Sequence, residues 1–136
     1  FSAVEMSSCD MRYTNLTGAI LDSANLSHSN MGAADLSFAS LKRANLKNVD
    51  LRWAILKNSD FTDSDIRSTR LLEANISGAL LVRANVSDGD LRRTNLSGAS
   101  LVGANLSGSN LAMADLTGAD IDDVSFGTCN IYGTKF

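Results

Sequence analysis

The 136-residue chain contains no proline, only two cysteines, one histidine and one tryptophan, and no long apolar run. Without proline every residue keeps its backbone N–H, as a fold built on ladders between neighbouring segments requires. The lack of a long apolar stretch, and of a basic segment followed by one at the start, gives no sign of a membrane-spanning helix or a leader. His28 has no second His, and no Cys or carboxylate at ligand spacing, so the pattern offers no metal site and reads as a solvated surface residue. Serines are abundant but have no base nearby, which argues against a nucleophilic triad. The glycines never cluster into a phosphate-binding loop. With 12 basic and 15 acidic residues, the net charge of −3 is too weak to suggest nucleic-acid binding. These absences point to a non-enzyme with no metal and no cofactor.

What the chain does have is a five-residue period. From Phe1 to Phe136 every fifth residue is Leu, Ile, Val, Met or Phe, at 28 positions. Two residues before each of these stands a small side chain (Ala, Ser, Thr, Val, Cys or Gly), at all 27 available places. Neither an amphipathic helix nor an alternating strand has this period. A tandem-repeat solenoid does, because it can turn one large and one small residue inward in every repeat. One repeat cannot stand alone: a single buried Leu does not offset the ordering of five backbones. Stacking supplies the rest, so 1–136 reads as a single unbroken domain, expected to be capped by segments of a longer chain.

The clearest repeats are Ala24-Asn25-Leu26-Ser27, Ala104-Asn105-Leu106-Ser107-Gly108 and Ala114-Asp115-Leu116-Thr117-Gly118. They resemble the pentapeptide-repeat family, whose pattern is A(D/N)Lxx, and the resemblance extends over the whole chain. It implies an all-β fold, a right-handed quadrilateral β-helix with one repeat per side and coils of about twenty residues. Nearly seven coils would make a rod roughly 30–35 Å long. Asn or Asp precedes the central apolar residue in 18 of 27 repeats, where short polar side chains can bond a corner backbone. Seven of the ten glycines take the fifth repeat position, matching the third residue of a type II turn.

Counting in twenties assigns residues to faces. Cys9 and Cys129 both take the small inward position on one face, on the order of 29 Å apart along the axis. That distance excludes a disulfide between them and predicts two free, buried substitutes for Ala. The six Asn-x-Ser/Thr sequons, at Asn15, Asn25, Asn75, Asn85, Asn95 and Asn105, would risk glycans on tight corners in a eukaryotic secretory pathway. A bacterial origin, or an organelle of bacterial descent, is therefore favoured. Phe1, Phe126 and Phe136 are expected to plug the ends of the bore. The exposed ladders there predict extra caps, or weak end-to-end association of an otherwise monomeric rod.

One face stands out. It carries Asp10-Met11-Arg12-Tyr13, Asp50-Leu51-Arg52-Trp53 and Asp90-Leu91-Arg92-Arg93, so every second coil offers an Arg beside a bulky neighbour, roughly 10 Å apart. Arg12, Tyr13, Arg52, Trp53, Arg92 and Arg93 are the candidate partner-binding residues, since exposed Arg, Trp and Tyr anchor interfaces. The plainer reading pairs each Asp with its own Arg. A second feature is a basic belt of Lys42, Arg43, Lys47, Arg52 and Lys57. It bands the chain as −3 over residues 1–41, +3 over 42–93 and −3 over 94–136. A minor apolar strip, Leu80, Val82 and Val102, lies on another face.

The resemblance also implies what such rods do. Some relatives mimic duplex DNA and protect DNA gyrase, using strongly negative surfaces, loops and a C-terminal dimer module that this chain does not show. Others are small soluble proteins of cyanobacteria and thylakoid lumens, and some effectors use such rods for positioning. The chain is more similar to the latter groups. The expectation is a rigid scaffold with an unknown protein partner, no nucleic acid and no membrane insertion, of bacterial or chloroplast thylakoid-lumen type. The alternatives are a DNA-mimic regulator of gyrase and a structural spacer.

Overall fold

The computed structural model describes residues 4–136. Its backbone is a four-sided coil that advances one turn every twenty residues. Parallel bridges join each residue before a central apolar one to its equivalent in the next coil, from Glu5–Asn25 to Asp115–Lys135. Each side is short: a small inward residue, a bridged residue and the central apolar residue, followed by two residues that turn the corner. The expected coil length and unbroken register are both found.

In most repeats with Asn or Asp before the central residue, all five amides have a partner. In the repeat centred on Leu46, the Leu46 N–H donates to the Asp65 carbonyl of the next coil (2.7 Å), and the Asn48 N–H to the Arg67 carbonyl (3.0 Å). The Val49 N–H closes the turn on the Leu46 carbonyl (3.2 Å), and the Asp50 N–H reaches back to the Ser29 carbonyl (3.0 Å). The remaining amide, Lys47 N–H, donates to the Asn45 side-chain oxygen at 3.2 Å. All 18 Asn and Asp at this position make that bond to the amide two residues on. The side chain supplies the one acceptor that the stacked backbone cannot, since a buried or constrained N–H left unpaired is costly. Where Ser40 replaces Asn or Asp, the Lys42 N–H turns to Asp22 in the preceding coil (3.1 Å).

A turn closed from first to fourth residue, with positive φ at the third, is type II. The third residue has positive φ at 25 of the 26 corners from Ser8 to Gly133, and 18 of these 25 are not glycine. Thr128 is the exception. A β-branched side chain is the one kind that fits this backbone worst, and the positive φ passes instead to Gly127, at 36°.

The bore is filled and continuous. Central residues from Leu26 through Leu116 are buried, alternating with Ala at most inward small positions. Where the small residue is Ser or Thr, its hydroxyl bonds a carbonyl. Ser59 donates to Leu56 in its own turn (2.6 Å), and Thr69 donates to Leu46 in the coil before (2.8 Å). Among the described residues no buried side-chain polar atom lacks a partner.

Two expectations need correction at the ends. Both cysteines are free, but Cys9 is exposed and Cys129 only half-buried, because no full coil covers either one. Phe126 packs on the core and meets Phe136 edge-on, with ring centroids 6.2 Å apart, while Phe136 itself stays more than half exposed. The two rings form a partial lid rather than a plug. Phe1 lies outside the described residues.

Candidate interaction edge

The candidate residues stand on a corner of the rod, not on a flat face. Turn bonds from Thr14, Ala54 and Thr94 to Met11, Leu51 and Leu91 place Arg12-Tyr13, Arg52-Trp53 and Arg92-Arg93 in the two turning positions of one edge. Spacing by twenties brings all six together there, two coils apart, on the edge that follows the side holding residues 9–11.

Each Arg with the matching Asp is locked. Arg12 donates through Nε to Asp10 Oδ1 (2.9 Å) and through Nη2 to Oδ2 (2.7 Å). Arg52 binds Asp50 the same way (2.9 and 2.6 Å), and so does Arg92 with Asp90 (2.7 and 2.7 Å). The same carboxylates also accept the Arg backbone N–H, so one Asp both caps the corner and aims the guanidinium. This fork geometry is the strong form of an ion pair. The plainer pairing foreseen from the sequence is present, and among the described residues it leaves Nη1 of each guanidinium without a partner.

The carboxyls respond accordingly. The Arg12 side-chain bond and backbone amide hold Asp10 at about 2. Burial pushes Asp50 up, but the Arg52 bonds outweigh it and leave the carboxyl below its ordinary value. Asp90 is lowered chiefly by Arg92. Asp50 is the best enclosed of the three, with its side chain 11% exposed and Arg70 3.7 Å away as a second cation. Arg93 reaches Glu73 in the coil before, at 3.2 Å.

Three aromatic rings project from this edge: Tyr13, Trp53 and, at the far end, Tyr132. Tyr13 is 80% exposed and Trp53 52%. The Arg52 guanidinium lies over the Trp53 ring, 5.2 Å from its centroid, a cation–π contact that fixes the indole's inner face. Further along, Met113 and Tyr132 are also exposed. Sequence reasoning passed over a fourth Asp-x-Arg unit, Asp65-Ile66-Arg67, which forms the same fork (2.8 and 2.6 Å) on a different edge. Its neighbour is Ser68, so the aromatic companions, not the fork, distinguish the candidate edge. Cross-coil pairs were also unforeseen: Arg83 with Asp63 and Lys42 with Asp60. The Lys42 pair, with the Arg52–Asp50 fork, neutralises part of the basic belt, while Arg43, Lys47 and Lys57 make no ion pair among the described residues.

Grouping each side with its corner, the four sides carry +1, 0, −3 and −1, starting from the side of Asp10. The first is the only positive one. The strip of Leu80, Val82 and Val102 lies on the third, with Leu80 exposed and both valines half-buried. No group of His, Cys, Asp or Glu among the described residues is arranged to hold a metal ion. Nor is any helix among them long and apolar enough to cross a membrane.

Four sides, twenty residues per turn and a bore of alternating small and large apolar residues define a quadrilateral β-helix. The sequence profile described as Pentapeptide repeats matches in 8 copies, over residues 1–37, 19–58, 34–71, 59–98 and 99–136, and the chain belongs to this family. Its fold is the family's right-handed quadrilateral β-helix. Among solved structures, trypsin-treated QnrB1, a plasmid-mediated fluoroquinolone resistance protein, is similar at 20% identity and a TM-score of 0.55. The match covers 85% of this chain and 63% of that one, so the chain spans less than two thirds of QnrB1 in that structure. A pentapeptide repeat protein from the Arabidopsis thaliana thylakoid lumen is 30% identical over 83% of this chain and 72% of that one, with a TM-score of 0.38. HetL, involved in heterocyst differentiation regulation in Nostoc, is 23% identical over 97% of this chain and 89% of that one, with a TM-score of 0.29. No protein of curated function matches in sequence.

Proposed function

We propose that the chain is a rigid, non-catalytic protein-binding scaffold of the bacterial or thylakoid-lumen type, acting as one domain. Its contact surface is the edge of Arg12, Tyr13, Arg52, Trp53, Arg92 and Arg93. The observation that carries this reading is the pre-ordering of that edge: three guanidiniums forked onto Asp10, Asp50 and Asp90 beside two largely exposed aromatic rings. Groups already immobilised lose little entropy on binding, which is what raises affinity at a contact surface. An unbroken register also leaves no long loop from which to build a catalytic pocket.

A DNA-mimicking regulator of gyrase fits less well. It would need strongly acidic walls, and only the third side, at −3, leans that way. Photo-crosslinking from position 53 in lysate of the source organism, with position 87 as control, tests the reading. A discrete partner at 53, absent at 87 and lost in the Arg52→Ala, Arg92→Ala double variant, supports it. Equal diffuse labelling at both positions moves the spacer reading to first place, and capture of gyrase subunits restores the mimic.

A further inference from the structure

We propose that this edge is a track for an acidic, proline-rich segment of a partner protein, bound as a polyproline II helix along the rod axis. The inference rests on the scaffold reading above and names the kind of partner.

The first ground is a notch. Between Arg12-Tyr13 and Arg52-Trp53 the intervening coil contributes only Gly32 and Ala33, so the two aromatic rings flank a gap one coil wide. Gly32 is not required by the turn, since it is the second turn residue and lacks the positive φ of the third. Its consequence is the missing side chain beside Arg12, whose Cγ lies 4.0 Å from where a Cβ would stand.

The second ground is the period. Coils joined by parallel bridges are about 4.8 Å apart, so equivalent groups on alternate coils recur about every 9.6 Å. A polyproline II helix has three residues per turn and repeats about every 9.3 Å, bringing the same ligand face to each Arg in turn. An extended strand repeats its side chains about every 6.7 Å and falls out of step.

The third ground is chemistry. Polyproline II leaves all its carbonyls without internal partners, and the free Nη1 groups of Arg12 and Arg52 can donate to them. Proline rings dock against aromatic surfaces in known recognition of this conformation, and Tyr13 and Trp53 provide those surfaces. Charge sets the sign. This side is the only positive one of the four, and its single excess charge lies at Arg92 and Arg93, in the coil after Arg70. There Arg70 and Arg93 hold their carboxylates more loosely (3.7 and 3.2 Å) than the forked pairs do.

Trp53 is the chain's single tryptophan, so its emission, excited selectively over the two tyrosines, reads the notch alone. The probe is a synthetic proline-rich peptide with Glu at every third position. It is compared with the same peptide carrying Lys for Glu, and with a Gly-Ser peptide of equal acidic charge. Saturable change with the first peptide, weaker by about tenfold with the second and third, is expected. The Gly32→Tyr variant fills the notch, and Asn130-Ile131-Tyr132 already accommodates that side chain at the equivalent place. It should fold as the parent does by circular dichroism and bind the first peptide about tenfold more weakly. Absence of saturable change, or an equal response to the Gly-Ser peptide, overturns the proposal. So does unchanged binding by folded Gly32→Tyr. If position 53 nevertheless crosslinks a discrete partner, the scaffold reading survives that failure; if it does not, both fall.

Discussion

Arg52 grips Asp50 through two parallel bonds, Nε to Oδ1 at 2.9 Å and Nη2 to Oδ2 at 2.6 Å, while Asp50 is held nearly out of solvent. The same carboxylate caps the Arg52 amide. Asp50→Ala therefore strands a corner N–H and two guanidiniums, and should cost about 1–3 kcal/mol in denaturant unfolding. Asp10→Ala, at the more open copy of the motif, should cost clearly less. The Trp53 emission should move only in the Asp50 variant, because Arg52 covers that ring.

Acid should unfold the rod in a defined window. Asp10 is held at about 2, and Asp35, Asp50, Asp60, Asp63, Asp65, Asp90 and Asp115 are all held below their ordinary value of 3.8. The unfolded chain therefore takes up protons before the folded one as pH falls. Stability from these groups is fully present above about pH 5 and drains away as pH drops through their folded values toward about 2. Thermal melts should show a flat Tm from neutral pH down to that limit and a steep fall below it. Arg12→Gln plus Arg92→Gln should blunt the slope.

Gly98 has φ +64° and open space around its missing Cβ. Gly98→Ala thus isolates the cost of a left-handed corner, about 1 kcal/mol, once lost chain entropy partly offsets the strain. Gly78 has the same backbone but faces Asn58 Oδ1. Gly78→Ala should lower Tm further, and Asn58→Gly should recover the difference between the two.

The inward column tolerates polarity better than bulk. Thr69→Val loses one hydroxyl bond to Leu46, whose carbonyl keeps the Val49 amide, so the cost should stay near 1 kcal/mol. Ala54 is 1% exposed inside a filled bore. Ala54→Leu should cost more, about 1–3 kcal/mol or failure to fold, as overpacking does. Denaturant midpoints of the two variants decide the order.

The spacing of Leu26 and Ala24, repeated without a slip, was enough to read the coil, because stacking forces one large and one small residue inward per side. It was also enough to gather Arg12, Arg52 and Arg92 in one line. What it left hidden depends on short-range geometry. Asp10 beside Arg12 is the same text whether the pair is closed or awaiting a partner. The position of those residues on an edge became visible only through the Thr14, Ala54 and Thr94 turn bonds. The burial expected for Cys9 and Cys129 failed because the inward position is defined by a neighbouring coil, which neither residue has on both sides. Thr128 could have been noticed as the lone β-branched residue at its repeat position, and its displaced turn shows what that signal means.

The closed hydrogen-bond cycle of the five-residue repeat makes this chain behave like a screw thread. Removing twenty residues shortens the rod by one pitch and returns every later side chain to its own column. Removing five keeps the bore filled and the amides paired but swings everything downstream through a quarter turn. Such a five-residue deletion placed between Trp53 and Arg92 would keep the coil while breaking the cross-coil pair of Arg93 with Glu73 and pointing Arg92 and Arg93 to a different quadrant from Arg12 and Arg52. Whole coils thus set length alone, while single repeats set direction as well.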